Sequence, residues 1–307
     1  MNPIVLDRIE GILGRYTRLH DFYVRDLRTG EEARTGTRRP YPIGSCFKLA
    51  VLVAALETMG SDEFDAFVEI PPERFSIGGG ILNMLHGAVR LTNVQLVQLM
   101  LIISDGTATD VLIDRIGLAR VNAVLKRYAP ASHLAFDLGN MIAAFRELPE
   151  AAGCKQRDWD MASLEDFTDR VCAVGASDAK DMAELALGAW RTLSETRMGR
   201  YSWFAQVPHT ISRTEMFFSD PLGCFSKTGS LGFRFFTNDC GVIFDAATRQ
   251  ALAAYGYASA GWQLSHLTVD VVCGLIGLEI LALLEIDHVP NSNWTPQGAG
   301  LLLGDAG

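Results

Sequence analysis

Ser45 and Lys48 stand three residues apart in Gly44-Ser45-Cys46-Phe47-Lys48-Leu49, at the head of an apolar run. On a helix that step sets the amine one turn on, beside the hydroxyl. A serine hydroxyl is a poor nucleophile until a neighbouring base takes its proton, and a lysine desolvated near other cations has its pKa lowered enough to serve. The helix N-terminus adds a positive end and free backbone N–H groups for a developing oxyanion. Two further strings follow in order. Ser104-Asp105-Gly106 ends the apolar stretch Leu96 to Ile103 and precedes a second helix from about Thr107, which puts a hydroxyl at a buried junction, able to relay a proton to a leaving group. Lys227-Thr228-Gly229-Ser230-Leu231-Gly232 reads as a strand entering a glycine-marked bend. Its lysine can hold the relay electrostatically, its hydroxyls can bind a substrate carboxylate, and a glycine lets substrate lie against the strand.

Each string alone is weak. A lone Ser-x-x-Lys is more often a capping serine followed by a surface lysine, and Ser-Asp before a helix is a routine cap. Lys-Thr-Gly by itself fits an ordinary strand edge. The chain carries its own decoys: Ser177-Asp178-Ala179-Lys180 repeats the first pattern, with Ser177 expected to cap a helix, and Arg28-Thr29-Gly30 nearly copies the third in a turn. Order, spacing and context raise the three strings above these.

The remaining composition excludes several classes. A chain of 307 residues allows one or two domains at about 150 residues each, with 49% hydrophobic residues to build a core. Against 27 basic residues stand 36 acidic ones, a net charge of -9, and no Lys/Arg stripe occurs, so a nucleic acid partner is not expected. Six cysteines without any C-x-x-C pair read as free, mostly buried thiols, and six scattered histidines lack ligand spacing, so neither metal nor cofactor is expected. Asp7 and Glu10 interrupt the apolar run that a secretory leader needs, which implies a cytoplasmic protein. The longest apolar stretch, Leu264 to Ile286, carries His266, Asp270 and Glu279 and reads as a buried or amphipathic helix, with no membrane partner.

Periodicity supplies the elements that must hold these residues. Helical spacing covers Pro3 to Leu19, and the period then changes to a strand over Phe22 to Leu27 with a turn into a short partner. Helices are expected over Phe47–Met59, Thr92–Ile103 behind a Thr92 cap, Thr109–Ile116, Val121–Tyr128 and Asp181–Leu193. Residues 130–175 read as an extended loop with one or two short helices. Strands are expected over Cys224–Lys227, Phe233–Phe236, Gly241–Asp245 and Gln250–Tyr257, with Asn238-Asp239 as turn residues. The tail from Val289 to Gly307 reads as an arm or a frayed end. Together these give a two-part α/β (α+β) protein: residues 1–43 with 206–307 as a sheet domain completed by both chain ends, and 44–205 as a helical domain.

The ordered set resembles the serine β-lactamases and penicillin-binding proteins, most closely the class A β-lactamases. The likeness extends to Phe22–Leu27 with Thr29-Gly30-Glu31, to Tyr41-Pro42-Ile43-Gly44 before Ser45, to Leu91-Thr92, and to Ala108-Thr109-Asp110-Val111-Leu112. It implies an antiparallel sheet flanked by helices with an inserted all-helical domain. It also implies Ser45 as the acylated nucleophile, Lys48 as base, Ser104 as relay, and Lys227 with Thr228, Gly229 and Ser230 as the support for a carboxylate-bearing acyl substrate. The backbone N–H groups of Ser45 and Ser230 would form the oxyanion hole, and Arg234 could add a second positive charge. Two departures stand out. Gly106 replaces the family's substrate-contacting Asn, and no Glu-x-x-Leu-Asn string lies between Ser104 and Lys227, which leaves Glu147 in Phe145-Arg146-Glu147-Leu148 as the nearest deacylating carboxylate. The expected activity is therefore that of a serine hydrolase acting on an ester or amide. An active class A-type β-lactamase, an acyltransferase and a non-turnover penicillin-recognising protein stand as alternatives.

Overall fold

The computed structural model describes residues 1–195, 214–219, 221–262 and 266–287. The expected arm over 289–307 and the boundary expected at 205/206 lie outside the described residues. Helix α1 (Pro3–Tyr16) starts where the Asn2 side chain accepts from the Ile4 backbone at 3.0 Å, with proline in its first turn, and it buries Val5, Ile9 and Leu13 along one stripe. Strands β1 (Leu19–Asp26) and β2 (Glu32–Gly36) form the expected hairpin. Asp26 accepts from the Arg28 backbone at 2.8 Å, and Gly30 takes φ +82°, so the Arg-Thr-Gly decoy is a turn.

Strand β3 (Tyr41–Pro42) enters a 3-10 turn over Gly44–Phe47, which continues as α2 (Lys48–Thr58). Then come α3 (Ser61–Asp65), β4 (Phe67–Ile70), β5 (Val89–Thr92) and α4 (Asn93–Ile102). Thr92 and Gln95 form a reciprocal capping box at the start of α4. Helix α5 (Gly106–Ile116) is capped by Asp105 and α6 (Leu118–Tyr128) follows. Within the stretch read as an extended loop lie β6 (His133–Leu134), α7 (Leu138–Arg146), α8 (Met161–Cys172) and β7 (Gly175–Ser177). The two helices begin at Asp137 and Asp160, whose carboxylates accept from Asn140 and Ser163 backbone N–H groups. Helix α9 (Ala179–Glu195) starts on Asp178, which accepts from the Asp181 N–H at 2.8 Å, so Ser177 is not the cap expected of it. Ser177 ends β7, and Lys180 pairs with Glu32 at 2.8 Å, so this second Ser-x-x-Lys is structural.

Strands β8 (Leu222–Leu231), β9 (Phe236–Asp245) and β10 (Ala251–Ala260) precede α10 (His266–Leu283). The principal sheet is antiparallel in the order β2-β1-β10-β9-β8, so strands from both ends of the chain complete it around a mostly helical middle. Alternation along the strands splits the core in two. Tyr23, Phe225, Val242 and Ala254 pack toward α2, α4, α5, α6 and α9, while Phe22, Val24, Ile243 and Tyr255 pack toward α1 and α10. This is the expected α/β architecture, a helix-flanked antiparallel sheet with a helical insertion.

Two strand expectations are corrected. Phe233–Phe236 is mostly the bend between β8 and β9, because Gly232, Phe233 and Arg234 all take positive φ, at 61°, 53° and 68°. Asn238-Asp239 is no turn but the buried middle of β9. Asn238 Nδ2 donates to the carbonyls of Pro42 (2.7 Å) and Ile43 (3.1 Å), and Asp239 accepts from Thr214 Oγ1 at 2.7 Å. Polar side chains that resemble turn signals are here internal braces. Asn238→Ala leaves the chain entering Ser45 without this brace; urea unfolding should show a loss of about 1–3 kcal/mol at unchanged m-value. A loss below about 0.5 kcal/mol would mean that the brace is dispensable.

Candidate active site

Ser45 lies on the 3-10 turn, where residues i and i+3 eclipse, so Lys48 follows directly behind it. Two glycines press this turn onto β8. A Cβ on Gly44, which takes φ +51°, would stand 2.9 Å from the Ser230 nitrogen, and one on Gly229 would stand 2.9 Å from the Ile43 oxygen and 3.0 Å from Cys46 Sγ. No side chain fits at either point. Cys46 Sγ donates to the Lys227 carbonyl at 3.3 Å, which adds a link between the residue after Ser45 and the third motif. Ser45 is half-buried, while Cys46, Phe47 and Lys48 are buried. The Ser230 N–H thus lies beside the turn that carries Ser45.

The Lys48 side chain is wholly buried, and its Nζ donates to Ser104 O at 2.6 Å and to Ser104 Oγ at 2.9 Å. Burial pushes the amine's pKa well below the ordinary lysine value, the nearby Lys227 charge lowers it further, and Asp105 and Asp110 act in the opposite sense. Ser104 presents both oxygens to one amine from a left-handed backbone, φ +57°. Asp105 fixes that junction. Its Oδ1 accepts from Ala108 N at 2.9 Å, and its Oδ2 accepts from Ile81 N at 2.7 Å and Leu82 N at 2.9 Å.

The second carboxylate oxygen of Asp105 therefore anchors the loop Ile77-Gly78-Gly79-Gly80-Ile81 over the start of α5. Gly106 donates its N–H to the Gly79 carbonyl at 2.6 Å, and a Cβ at position 106 would stand 2.8 Å from Gly78 Cα. The family's asparagine cannot be accommodated there while the glycine loop keeps this course. Sequence reasoning noticed the missing side chain and missed its cause; the run of three glycines was the available signal.

On β8, Lys227 is buried and its Nζ donates to the Thr228 carbonyl at 2.8 Å. Thr228 is buried and Ser230 is exposed. Arg234 stands past the bend with its guanidinium 2.6 Å from the Asp270 carboxylate on α10. Glu147 caps the C-terminal end of α7 and is exposed, its backbone N–H donating to the Ala143 carbonyl at 3.2 Å. The following acid, Glu150, is held below the ordinary carboxylate range by Arg170, which donates to it at 2.8 and 3.0 Å. From α7 it is Phe145 that meets the end of β8: its ring would be 3.0 Å from a Cβ on Gly232. The structure thus gathers Lys48 and Ser104 by direct hydrogen bonds, and Ser45, Lys227, Gly229 and Ser230 by backbone contact, and sets Glu147 and Arg234 at the margins. Beside Ser230 opens a cavity of about 590 Å³ between the glycine loop, α7 and the end of β8.

Against this geometry, the model of the Beta-lactamase2 family, described as the β-lactamase enzyme family, matches residues 5–282. A β-lactamase regulatory protein, BlaB of Streptomyces cacaoi, is 33% identical over 111 residues, which is 35% of this chain and 35% of that protein. The match thus spans about a third of that relative. Among solved structures, a β-lactamase from Sphaerobacter thermophilus superposes with a TM-score of 0.68 at 20% identity, covering 93% of this chain and 98% of its own. A mutant of PBP-A in acyl-enzyme complex with penicillin G gives a TM-score of 0.67 at 16% identity, covering 92% of this chain and 97% of its own. At these identities the structural likeness is one of fold.

The packing at position 106 has a measurable consequence. Gly106→Asn should destabilise the protein by about 1–3 kcal/mol through overpacking against Gly78. Amide hydrogen exchange should quicken at Ile81 and Leu82, whose N–H groups lose their Asp105 anchor. An asparagine variant with wild-type stability and exchange would show that the loop yields freely.

Proposed function

The chain belongs to the β-lactamase enzyme family, and on that premise we propose a serine hydrolase that forms an acyl-enzyme on Ser45 and cleaves an ester or amide, a β-lactam or natural-product intermediate among them. The observation that carries this reading is the Lys48 amine, buried and bonded to Ser104 at 2.6 and 2.9 Å. A neutral amine has two N–H donors and one lone pair. Both donors are spent on Ser104 O and Oγ, and the lone pair is left for the Ser45 proton.

In the first step Ser45 Oγ bonds to the acyl carbon as its proton passes to Lys48 Nζ, and the carbonyl electron pair moves onto oxygen. The backbone N–H groups of Ser45 and of Ser230, the latter beside Gly44, would receive that oxyanion. Collapse breaks the bond to the leaving nitrogen or oxygen. Ser104 Oγ gives its proton to the leaving group and regains one from Lys48, which restores the neutral amine. Lys227 disfavours a lasting charge on Lys48, and with the hydroxyls of Thr228 and Ser230 it would offer a place for a substrate carboxylate, which Arg234 could reach only on leaving Asp270. Water then attacks the ester on Ser45, with Lys48 or the Glu147 carboxylate as base.

A second reading is a penicillin-recognising protein that is acylated and not turned over. The exposed position of Glu147 favours it, as does the likeness to a protein named for regulation. Intact-protein mass spectrometry with a penicillin, a cephalosporin and an activated ester separates the readings: a transient adduct supports hydrolysis, a lasting one the second reading, and none on any of the three contradicts both. Ser45→Ala should form no adduct, and Lys48→Ala should acylate about 10²–10⁴-fold more slowly. Glu147→Gln should trap the adduct if that carboxylate is the deacylating base, and unchanged clearance assigns the step elsewhere.

The pH dependence follows from the direction of the Lys48 shift. The base is the deprotonated amine, so acylation rises with pH through the folded pKa of Lys48 and levels off below the ordinary lysine range. Lys227→Ala removes the neighbouring positive charge and should move that midpoint upward. A midpoint that stays put or falls would contradict Lys48 as the base.

A further inference from the structure

A second cavity opens at the far end of α2, where α5 gives way to α6. Its walls are Thr58 and Met59 at the end of α2, Glu63 of α3, Arg115 in the last turn of α5 and Arg120 in the first turn of α6. Its volume is about 310 Å³, and a smaller hollow of about 160 Å³ shares the Thr58 and Arg120 walls and runs along Ala123 and Val124 of α6. Helix α2 carries Lys48 at its first position and Thr58 at its last, so its length, on the order of 15 Å, separates this cavity from Lys48 and Ser104.

Most of the charge around the cavity is already matched. Asp114, next to Arg115, takes Arg74, and Glu57 takes Arg127 at 2.5 Å. Glu63 Oε2 accepts from the Gly60 N–H at 3.0 Å, in the turn into α3. Arg115 and Arg120 differ from their neighbours, because among the described residues neither has a carboxylate partner. Of the five N–H donors of a guanidinium, Arg120 gives one to the Ile116 carbonyl at 3.0 Å, and Arg115 gives none to any described residue. The negative end of α5 accounts for a cation in its last turn and takes that one donor. It leaves the other donors of both side chains unspent at one cavity wall.

The chain has 36 acidic against 27 basic residues, so two guanidiniums facing only the single charge of Glu63 make this cavity a positive spot on an acidic protein. A guanidinium fork matches the oxygens of a phosphate bidentately. The neighbouring hollow adds Ala54, Ala123 and Val124, apolar surface against which a small organic group can lie. The larger of the two is at the lower end of the range for small-ligand sites, on the order of 300–1,000 Å³.

We propose that this cavity binds a small organic phosphate monoester, with the phosphate held between Arg115 and Arg120 and the organic part along Ala123 and Val124. A monoester carries a charge of about −1.5 to −2 near neutral pH, which answers two guanidiniums more fully than the single charge of a carboxylate. The site is independent of the acyl-enzyme reading, since none of its residues belongs to the three motifs.

Calorimetric titration of the full chain with phenyl phosphate, inorganic phosphate and benzoate at low salt reads the class of ligand, and backbone amide chemical shifts read the place. Phenyl phosphate should bind most tightly of the three and move the amides of 58–63 and 115–121, leaving those of Thr228, Gly229 and Ser230 unmoved. Arg115→Gln and Arg120→Gln, at exposed positions, should each weaken it by about tenfold with the urea midpoint unchanged. Ala123→Trp, also at an exposed position, blocks the apolar hollow and should bring phenyl phosphate down to the affinity of inorganic phosphate. Inorganic phosphate bound as tightly as phenyl phosphate would mean an adventitious ion only and would overturn the site. No binding by phenyl phosphate, shifts centred on β8, or an affinity that both glutamine variants leave unchanged would overturn it equally, and benzoate bound as tightly as phenyl phosphate would overturn the assignment to a phosphate.

Discussion

An amine taken out of water must either find compensation for its charge or give up its proton. Lys48 is wholly buried at the start of α2, faces a second lysine, and spends its hydrogen bonds on the two oxygens of Ser104. Much of the surrounding structure makes sense as the means of keeping it there. The left-handed turn at Ser104 brings both oxygens to one point, Asp105 holds that turn, and the 3-10 turn at Ser45 sets the hydroxyl next in line. Aspartates 105 and 110 temper the repulsion from Lys227 without removing it.

The same site depends on places where side chains are missing. Gly44 and Gly229 let the turn bearing Ser45 meet the backbone of β8, and the register of β8 on β9 sets Gly229 opposite Asn238, whose amide grips the carbonyls just before Ser45. Gly78 and Gly106 make a second such contact at the other wall. There the exchange has chemical weight: a backbone loop with an isoleucine beside it takes the volume of a polar side chain. This wall thereby trades hydrogen-bonding capacity for apolar surface, while Lys48 and Ser104 are left in contact. In the proposed reading, acylation chemistry and substrate recognition are thus assigned to different parts of the site.

What could be read from the sequence follows the range of the interactions involved. Caps at Thr92 and Asp105, the hairpin after α1 and the helix behind Ser45 all rest on local rules, and all were legible. The order of the three motifs carried the site because each sits at a helix or strand boundary with a local signature. Asn238-Asp239 misled because turn propensity and buried bracing use the same residue types, and only the partners, 25 and 196 residues away, distinguish them. Residues 130–175 were expected to hold one or two short helices, and α7 and α8 are two; their bounds were not legible, because each is short and starts on an aspartate, a residue that serves turns as readily as caps. The wall that Phe145 forms against Gly232 was likewise out of reach, since it depends on a contact between α7 and the end of β8.

The state of one amine decides whether this account of the site holds. Heteronuclear NMR titration of the Lys48 side chain, assigned by comparison with Lys48→Arg, reads it directly. The account predicts a titration well below the ordinary lysine value of 10.5. A Lys48 that stays protonated up to or beyond 10.5 would contradict it, and with it the role of this amine as the base that activates Ser45.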